Sequence, residues 1–427
     1  MPTPITRRHA LQLAAATGLT LSLGAAMHAD DTSAKSVKLA FIGVGNRGAS
    51  LLHQLLAQDP AVRIPAICDI DEKALNRALD AVEKARGSRP EGYSKGPEDY
   101  RRLLQRDDIN SVLIATPQEL HAAMVIDSLK AGKFVGSEVP ACCTVDECWD
   151  LVKAVEQTQT GYMMLENYLY PNHIMQVQNM ADQGVFGDLT YAYGAYIHEI
   201  RAMRFNADGS LTWRGHNTAD HIGIIYPTHA IGPACRWLGI NKADKLTSLV
   251  CMASKSAAVK EYAAKKFGAD SAPARINFKN GDTTQALIKT AAGRLIEVRY
   301  DTASPRPTGM GTHSLQGSRG AFESALSQRM VYIEGTSPNE KWEPLTKYEE
   351  KYQHARWKEL GNEAQKAGHS GGDYFVLQDF VRAIRTGVSP IDVYDAVTWS
   401  SVRPLSAASL ELGSKPVAVP DFRAPRQ

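Results

Sequence analysis

The sequence predicts an α/β protein in two parts. A doubly wound parallel sheet is followed by an α+β domain with a large, mainly antiparallel open sheet. Three observations carry this. Short apolar strands alternate with amphipathic helices over the first part. The first strand runs into a glycine-rich turn that opens a helix. After about Gly187 the pattern changes to long alternating runs, as expected of a sheet with one covered face. The chain has 427 residues, about the length of two ordinary domains. The expected boundaries are 36–187 for the first domain and 188–427 for the second.

The predicted elements follow in order. Val37–Ile42 is a buried strand, Ala49–Ala57 an amphipathic helix, and Val62–Cys68 a second strand that ends in Asp69. A helix over Glu72–Ala85 precedes a strand over Ser111–Ala115. Helix and strand then alternate through His121–Ala131, Phe134–Ser137, Thr144–Gln159 and Tyr162–Leu165. The second part offers strands at Leu189–Ile200, Leu246–Ser254, Thr284–Lys289 and Leu295–Tyr300, with helices sparse until the end. Two late helices, Asp373–Arg385 and Asp392–Leu412, are expected to return to the first domain. The polar stretches 255–280 and 335–370 read as surface insertions.

The first thirty residues stand apart. Arg7 and Arg8 directly precede a weakly apolar run, Ala10 to Ala26, and small residues surround Gly24-Ala25-Ala26 and Ala29. This reads as a twin-arginine signal peptide over 1–30, too short and too polar for a membrane span. It implies the twin-arginine export machinery as a partner, a periplasmic or otherwise exported location, and no stable membrane insertion. Lys+Arg is 48 against Asp+Glu 46, a net charge of +2, and no basic block argues for nucleic acid. None of the six cysteines forms a CxxC pair, so no metal site is expected and buried free thiols are the reading.

Gly43-x-Gly45-x-x-Gly48 lies between a predicted strand and a predicted helix. Gly43 permits the tight turn, Gly45 lets backbone approach a pyrophosphate, and Gly48 lets helix and strand pack closely. The helix N-terminus offers free N–H groups to phosphates. Asp69 ends the next strand about twenty residues on, the spacing of a carboxylate that accepts from a ribose 2′-hydroxyl and repels a 2′-phosphate. This is the Rossmann arrangement, and it favours NAD over NADP.

At Glu138-Val139-Pro140-Ala141 the chain resembles the glucose–fructose oxidoreductase, inositol dehydrogenase and MocA superfamily over almost its whole mature length. The usual dehydrogenases there carry Glu-Lys-Pro. Val139 replaces that lysine and neither donates to an alkoxide nor moves a proton. A narrower set of blocks resembles glycoside hydrolase family 109: Met163-Met164-Leu165-Glu166-Asn167, Gly194 to His198, Thr212-Trp213-Arg214, Tyr226 to Pro233, Ser304 to Pro307, Ile391 to Asp395 and Val419 to Phe422. The resemblance implies an α-N-acetylgalactosaminidase-like glycosidase that uses bound NAD without consuming it.

Matched residue by residue, the resemblance implies nucleotide contacts at Asn46, Arg47, Asp69, Gln118, His121, Glu138, Val139, Asn167, Tyr226 and His229. It implies substrate contacts at Tyr196, Arg214 and Tyr226. Thr308 stands where relatives commonly have a tyrosine that touches substrate, which leaves the sugar's identity open. Gln118 stands where many relatives have tryptophan. A homo-oligomer paired through the open sheet face is also implied.

Ordinary glycosidases place two carboxylates about 5–10 Å apart, and no such pair announces itself in the sequence. The NAD route instead oxidises sugar carbon 3, removes the acidified proton on carbon 2, expels the aglycone from carbon 1, adds water and reverses the oxidation. Histidine and tyrosine suit its proton transfers. His229 and Tyr226 lie three apart and share a face if helical. His198 and Tyr196 lie two apart and share a face if extended. These four are the candidate catalytic residues. Tyr168 and Tyr170 read as core or rim, and His216 and His221 as loop residues. Three functional readings follow. The leading one is an exported NAD-dependent glycosidase acting on a small-molecule glycoside. The others are an exported sugar oxidoreductase with tightly held nucleotide and a non-catalytic NAD-containing sugar-binding protein.

Overall fold

The computed structural model describes residues 36–307, 311–326 and 328–426. The paired-arginine head and Thr308 lie outside the described residues.

The first sheet has six strands in the order β3-β2-β1-β4-β5-β6, all parallel. They are β1 (Leu39–Ile42), β2 (Ala66–Cys68), β3 (Glu91–Tyr93), β4 (Ser111–Ile114), β5 (Phe134–Ser137) and β6 (Tyr162–Met164). Helices α1 (Asn46–Gln58), α2 (Glu72–Arg86), α3 (His121–Lys130) and α4 (Val145–Thr158) connect them. β1, β2, β4, β5 and β6 are buried throughout, which is why they read as unbroken apolar runs rather than alternating ones. Two helices are stopped and started by their own residues. Asp71 accepts from the Lys73 and Ala74 amides at the start of α2, and Thr144 with Glu147 forms a capping box on α4. β3 escaped prediction because two of its three residues are exposed on a sheet edge.

The second sheet has nine strands in the order β14-β13-β12-β11-β7-β10-β9-β8-β15. Its centre is β7 (Leu189–Ile197), flanked by β10 (Leu295–Asp301) in parallel and β11 (Gly311–Gly317) in antiparallel register. β8 (Leu246–Ala253), β9 (Thr284–Thr290), β12 (Gly320–Ala325), β13 (Gln328–Ile333), β14 (Glu343–Pro344) and β15 (Val417–Ala418) complete it, every other pair antiparallel. Exposure alternates residue by residue along β9, with Gln285, Leu287 and Lys289 on the outer face.

The second domain carries helices that the sequence reading undercounted, one of which, over Thr228–Leu238, packs on the large sheet. α5 (Asn172–Asp182), α6 (Trp213–Asp220), α7 (Thr228–Leu238), α8 (Ala258–Phe267) and α9 (Ala355–Ala364) all precede the last helices. The stretches 255–280 and 335–370 are therefore not plain surface insertions. Val259, Ala263 and Phe278 form a small second core with Phe205, Ala219 and Ala303, and Trp357 of α9 is buried with its indole N–H donating to the Tyr170 carbonyl. Their polar composition hid one apolar face on each helix.

α10 (Gly372–Thr386) returns to the first domain as expected and packs on α1, with Phe380 6.1 Å from Phe134. The second returning helix is broken in two, α11 (Val393–Ser400) and α12 (Val402–Glu411). Pro404 has no N–H for the Ser400 carbonyl, so the ladder fails at that turn. The break lets α11 pack on α4 while α12 packs on β8. All six cysteines are free thiols, five of them buried. Among the described residues no helix is long and apolar enough to cross a membrane.

Candidate active site

The glycine turn sits where the sequence put it, between β1 and α1. Gly43 has φ +86°, and a Cβ there would meet the Ala115 backbone at 2.9 Å. A Cβ on Gly48 would meet the Gly43 carbonyl oxygen at 2.0 Å, so this residue closes the turn and does not face the cavity. Gly45 faces open space, and it precedes α1 without any side-chain cap, leaving the first amides of the helix free. Asp69 holds the loop: its carboxylate accepts from the Val44 amide at 2.7 Å and the Asp71 amide at 2.8 Å. An ionised carboxylate has about four acceptor positions, so capacity for a ribose hydroxyl remains.

Around this turn lies a cavity of about 420 Å³. Gly43, Gly45, Asn46, Arg47, Asp69, Gln118, His121, Glu138, Val139, Arg214 and Tyr226 line it, all expected from the sequence. Met203 and Trp213 join Arg214 and Tyr226 on the side built from the second domain. Free helix amides, a carboxylate at the end of β2 and an apolar slot of this size fit a dinucleotide. Several of the lining residues are already engaged. Arg47 donates to Glu138 at 2.6 Å and, through both terminal nitrogens, to Asp373 at 2.8 Å. Burial opposes its charge, but the two carboxylates overcome this and hold the guanidinium firmly protonated. His121 contacts the Pro140 carbonyl at 2.8 Å and the Thr116 carbonyl at 2.9 Å, so it meets the cavity with its ring rather than a nitrogen. Asn167 lies outside the lining and donates to Asp373 at 2.7 Å. No lysine is among the lining residues, and Val139 is 3% exposed.

Beyond Tyr226 the aromatic residues gather. Tyr226 and His229 do not share a helix face: α7 starts at Thr228, and Pro227 caps it in a separate turn. The rings still meet, 5.0 Å apart, because the turn folds Tyr226 back. Tyr196 on β7 stacks on Tyr226 at 5.2 Å and stands edge-on to His229 at 5.2 Å. Gly194 makes this possible; a Cβ there would lie 1.8 Å from the Ala230 carbonyl oxygen, so α7 rests directly on β7. His198 does share the Tyr196 face, with Nδ1 3.0 Å from the tyrosine oxygen. Burial raises the Tyr196 and Tyr226 phenols above their ordinary range, and burial with the neighbouring Arg214 lowers His198. His229, Tyr196 and His198 do not line the nucleotide cavity; they stand behind Tyr226.

Glu166, His313 and His369 of this cluster escaped the sequence reading as site residues. Glu166, fully buried, pairs with His229 Nδ1 at 2.7 Å and so fixes the ring with Nε2 free. Burial alone would raise its carboxyl, but His229's charge and hydrogen bond hold it below the ordinary glutamate value. Tyr168, read as core or rim, is buried and stacks on His229 at 4.3 Å. His313 on β11 bonds the His229 carbonyl at 2.9 Å. That carbonyl is free because Pro233, four residues on, has no N–H to give it. His369 completes the set, 6.3 Å from His229. Of the other histidines, His216 is on α6 rather than a loop, exposed and beside Asp220, while His221 follows that helix.

Comparison with known proteins decides the family. Residues 170–426 match "Glycosyl hydrolase 109, C-terminal domain", and residues 37–165 match "Oxidoreductase family, NAD-binding Rossmann fold". The chain belongs to glycosyl hydrolase family 109. A family 109 protein of Stenotrophomonas maltophilia is 36% identical over 91% of this chain and 90% of its own length. An α-N-acetylgalactosaminidase of Shewanella oneidensis is 38% identical over 90% and 85%. Among solved structures, levoglucosan dehydrogenase with NADH superposes with a TM-score of 0.70 at 19% identity, covering 90% of this chain and all of that one. This chain is a family 109 glycoside hydrolase with NAD as its cofactor.

Proposed function

We propose that the enzyme cleaves α-N-acetylgalactosaminides by oxidation at sugar carbon 3, elimination of the aglycone, addition of water and reversal of the oxidation. Bound NAD would supply the oxidation and its reversal. The observation that carries the reading is the position of Tyr226, in the wall of the nucleotide cavity and in ring contact with both His229 and Tyr196. Proton-handling side chains thus begin where the nucleotide cavity ends. Of the two carboxylates that line the cavity, Glu138 is held by Arg47, and Asp69 stands at the glycine turn with its remaining capacity facing the nucleotide. That leaves no free pair for direct displacement at carbon 1.

His229, its Nδ1 held by Glu166, offers Nε2 as one proton acceptor; Tyr196 with His198 offers another. Arg214 stacks its guanidinium over Trp213 at 4.2 Å and presents charge to sugar hydroxyls or the acetamido oxygen. The galactosamine specificity rests on the Shewanella relative's name and on these contacts. The test is cleavage of 4-nitrophenyl α-N-acetylgalactosaminide in deuterated water. Aglycone release without steady NADH accumulation, and deuterium at carbon 2 of the product, are expected. Product without deuterium at carbon 2 overturns the elimination route, and net NADH accumulation returns the chain to the sugar dehydrogenases.

Export by the twin-arginine route is part of the same proposal and rests on Arg7 and Arg8 directly before the apolar run Ala10 to Ala26 and the small residues that follow it. Replacing both with lysine should hold NAD-loaded enzyme in the cytoplasm; continued export of that variant would reject the route. Pairing of two copies is supported by the outer face of the large sheet, where Met252, Leu287 and Leu295 are exposed. Sedimentation of Leu287→Lys against the unaltered chain tests it, with dissociation expected.

A further inference from the structure

The elimination route fixes what happens to the sugar and leaves the aglycone open. A second cavity, of about 490 Å³, lies beside the cluster around His229. We propose that this cavity receives the leaving group, and that Arg329 in its wall selects aglycones that carry a carboxylate or another anionic group. The proposal rests on the glycosidase reading above and specifies its substrate.

The cavity shares walls with the reacting end of the site. Tyr168, His313 and His369 line it, and each also meets His229: Tyr168 by stacking at 4.3 Å, His313 at the His229 carbonyl, and His369 with its ring 6.3 Å away. Arg329 and His173 line the same cavity. Sheet register gives its reach. A row of residues crosses the large sheet from Gly194 on β7 to His313 on β11, Ser324 on β12 and Arg329 on β13. The His313 amide donates to the Ser324 hydroxyl at 2.9 Å, and Ser324 and Arg329 are register partners, so their side chains share a face. Neighbouring strands lie about 4.8 Å apart, which puts the Arg329 backbone about 14 Å from Gly194, where α7 rests beside His229. At that distance the guanidinium serves a group outside the reacting ring rather than carbons 1 to 3.

Charge defines what the cavity takes. No carboxylate is among its described lining residues. Arg306, the other arginine there, is already paired, its terminal nitrogen 2.9 Å from Asp301. Arg329 has no such partner among the described residues: burial pulls its guanidinium below the ordinary value, and no carboxylate opposes this. Arg47 meets the same penalty, and there Glu138 and Asp373 more than offset it. His173 has a buried Nδ1 without a partner among the described residues, and burial with Arg329 close by keeps its ring neutral. Arg329 is also exposed, so an incoming anion reaches it without displacing protein. A planar guanidinium takes a carboxylate through two parallel hydrogen bonds, which supplies the missing counter-charge and fixes the orientation of the aglycone.

The test compares two glycosides of one sugar on full-length, NAD-loaded enzyme: 4-carboxyphenyl α-N-acetylgalactosaminide and its methyl ester, which keeps the shape and loses the charge. The unaltered enzyme should prefer the carboxylate by about tenfold in kcat/KM. The difference should lie in KM rather than kcat, because a contact remote from the reacting carbons acts alike on bound substrate and transition state. It should shrink in high salt. Arg329→Gln should abolish the preference and Arg329→Lys should keep part of it. Retained NAD shows that the variants are folded, and calorimetric titration with the same two glycosides reads the preference without turnover. No preference for the carboxylate in the unaltered chain, or a preference that survives Arg329→Gln, overturns the proposal. Cleavage of both glycosides at equal efficiency does so while leaving the glycosidase reading intact. If neither is cleaved but the calorimetric preference is present and vanishes in Arg329→Gln, the glycosidase reading fails and the anion site stands. Binding of neither overturns both.

Discussion

The nucleotide cavity draws its loops from the ends of neighbouring strands in one parallel sheet, whereas the cluster around His229 draws on β7, the start of α7, the segment after β6, β11 and the approach to α10. In the first region a short stretch of chain carries its own geometry. Gly43, Gly45 and Gly48 act within six residues, and Asp69 reaches them from the adjacent strand. In the second, no pair closer than two residues in sequence makes the site; Glu166 reaches His229 across 63 positions, and His313 reaches it across 84. Backbone recognition of a phosphate is a local property. Proton transfer to a sugar needs side chains from several directions, held by residues that never touch it.

The sharpest way to break this contrast is to remove the central imidazole. His229→Ala should lose about 10²–10⁴-fold in kcat, the usual cost of one positioned acid–base group, while keeping NAD bound. Turnover with 4-nitrophenyl α-N-acetylgalactosaminide and the absorbance of retained nucleotide measure the two separately. Loss of NAD together with activity would make the two regions one.

Glu166 tests whether the cluster is held together by charge. Glu166→Ala leaves the buried His229 Nδ1–H without its carboxylate acceptor, which costs up to about 3 kcal/mol, and urea unfolding at neutral pH should show this. The pH dependence has a definite sign. A carboxyl held below its ordinary value stabilises the fold above that value and loses the contribution as pH falls through the lowered one. The gap between Glu166→Ala and the unaltered chain should therefore hold steady down to the ordinary 4.5 and narrow only below it.

His313 gives a dependence of the same sign from the same cluster, in a higher pH window. Burial pushes its imidazole from 6.5 down to about 4. The unfolded chain binds this proton between those values and the folded chain does not, so stability falls as pH drops through that window and levels below about 4. At about 1.4 kcal/mol per pH unit this is roughly 3 kcal/mol. His313→Gln keeps a donor for the His229 carbonyl but cannot titrate. Urea midpoints for the two chains should converge in slope above 6.5 and separate in slope between 6.5 and 4.

These residues also mark what the sequence discloses. Five of the six strands of the parallel sheet are legible because they are buried and their connecting helices are amphipathic; the exposed edge strand β3 is not. Tyr226, His229, Tyr196 and His198 were legible as residue types in blocks resembling family 109, and Arg214 likewise. The reason for their geometry was half-visible. Pro233 stands four residues after His229, so a helix there must leave the His229 carbonyl without its usual donor; this signalled a partner but not that His313 would be it. Gly194 in the middle of a strand likewise signalled a close approach without naming α7. Asp373 gave no local sign at all. It reads as an ordinary first-turn carboxylate of a helix, and only the return of α10 to the first domain brings it to Arg47. The break at Ser401 is legible in Pro404, which an unbroken helix over Asp392–Leu412 would have to hold in its interior.

The smallest expected effect belongs to the local region, and it separates two jobs of one carboxylate. Asp69 accepts from the Val44 and Asp71 amides, which sets the loop, and it faces the cavity, where it would meet a ribose. Asp69→Ala removes both jobs. A hydrogen bond to a charged group is worth about 1.5–3 kcal/mol, so NAD should bind about 10–100-fold more weakly, and the preference over NADP should narrow as well. Asp69→Asn keeps an amide oxygen for one of the loop amides but loses the charge. It should retain more of the NAD affinity while narrowing the NADP gap by a similar factor, because repulsion of a 2′-phosphate depends on charge alone. Calorimetry with both nucleotides on the three stripped proteins measures this. If the unaltered chain binds NADP as tightly as NAD, Asp69 serves the loop only, and cofactor choice lies elsewhere in the cavity.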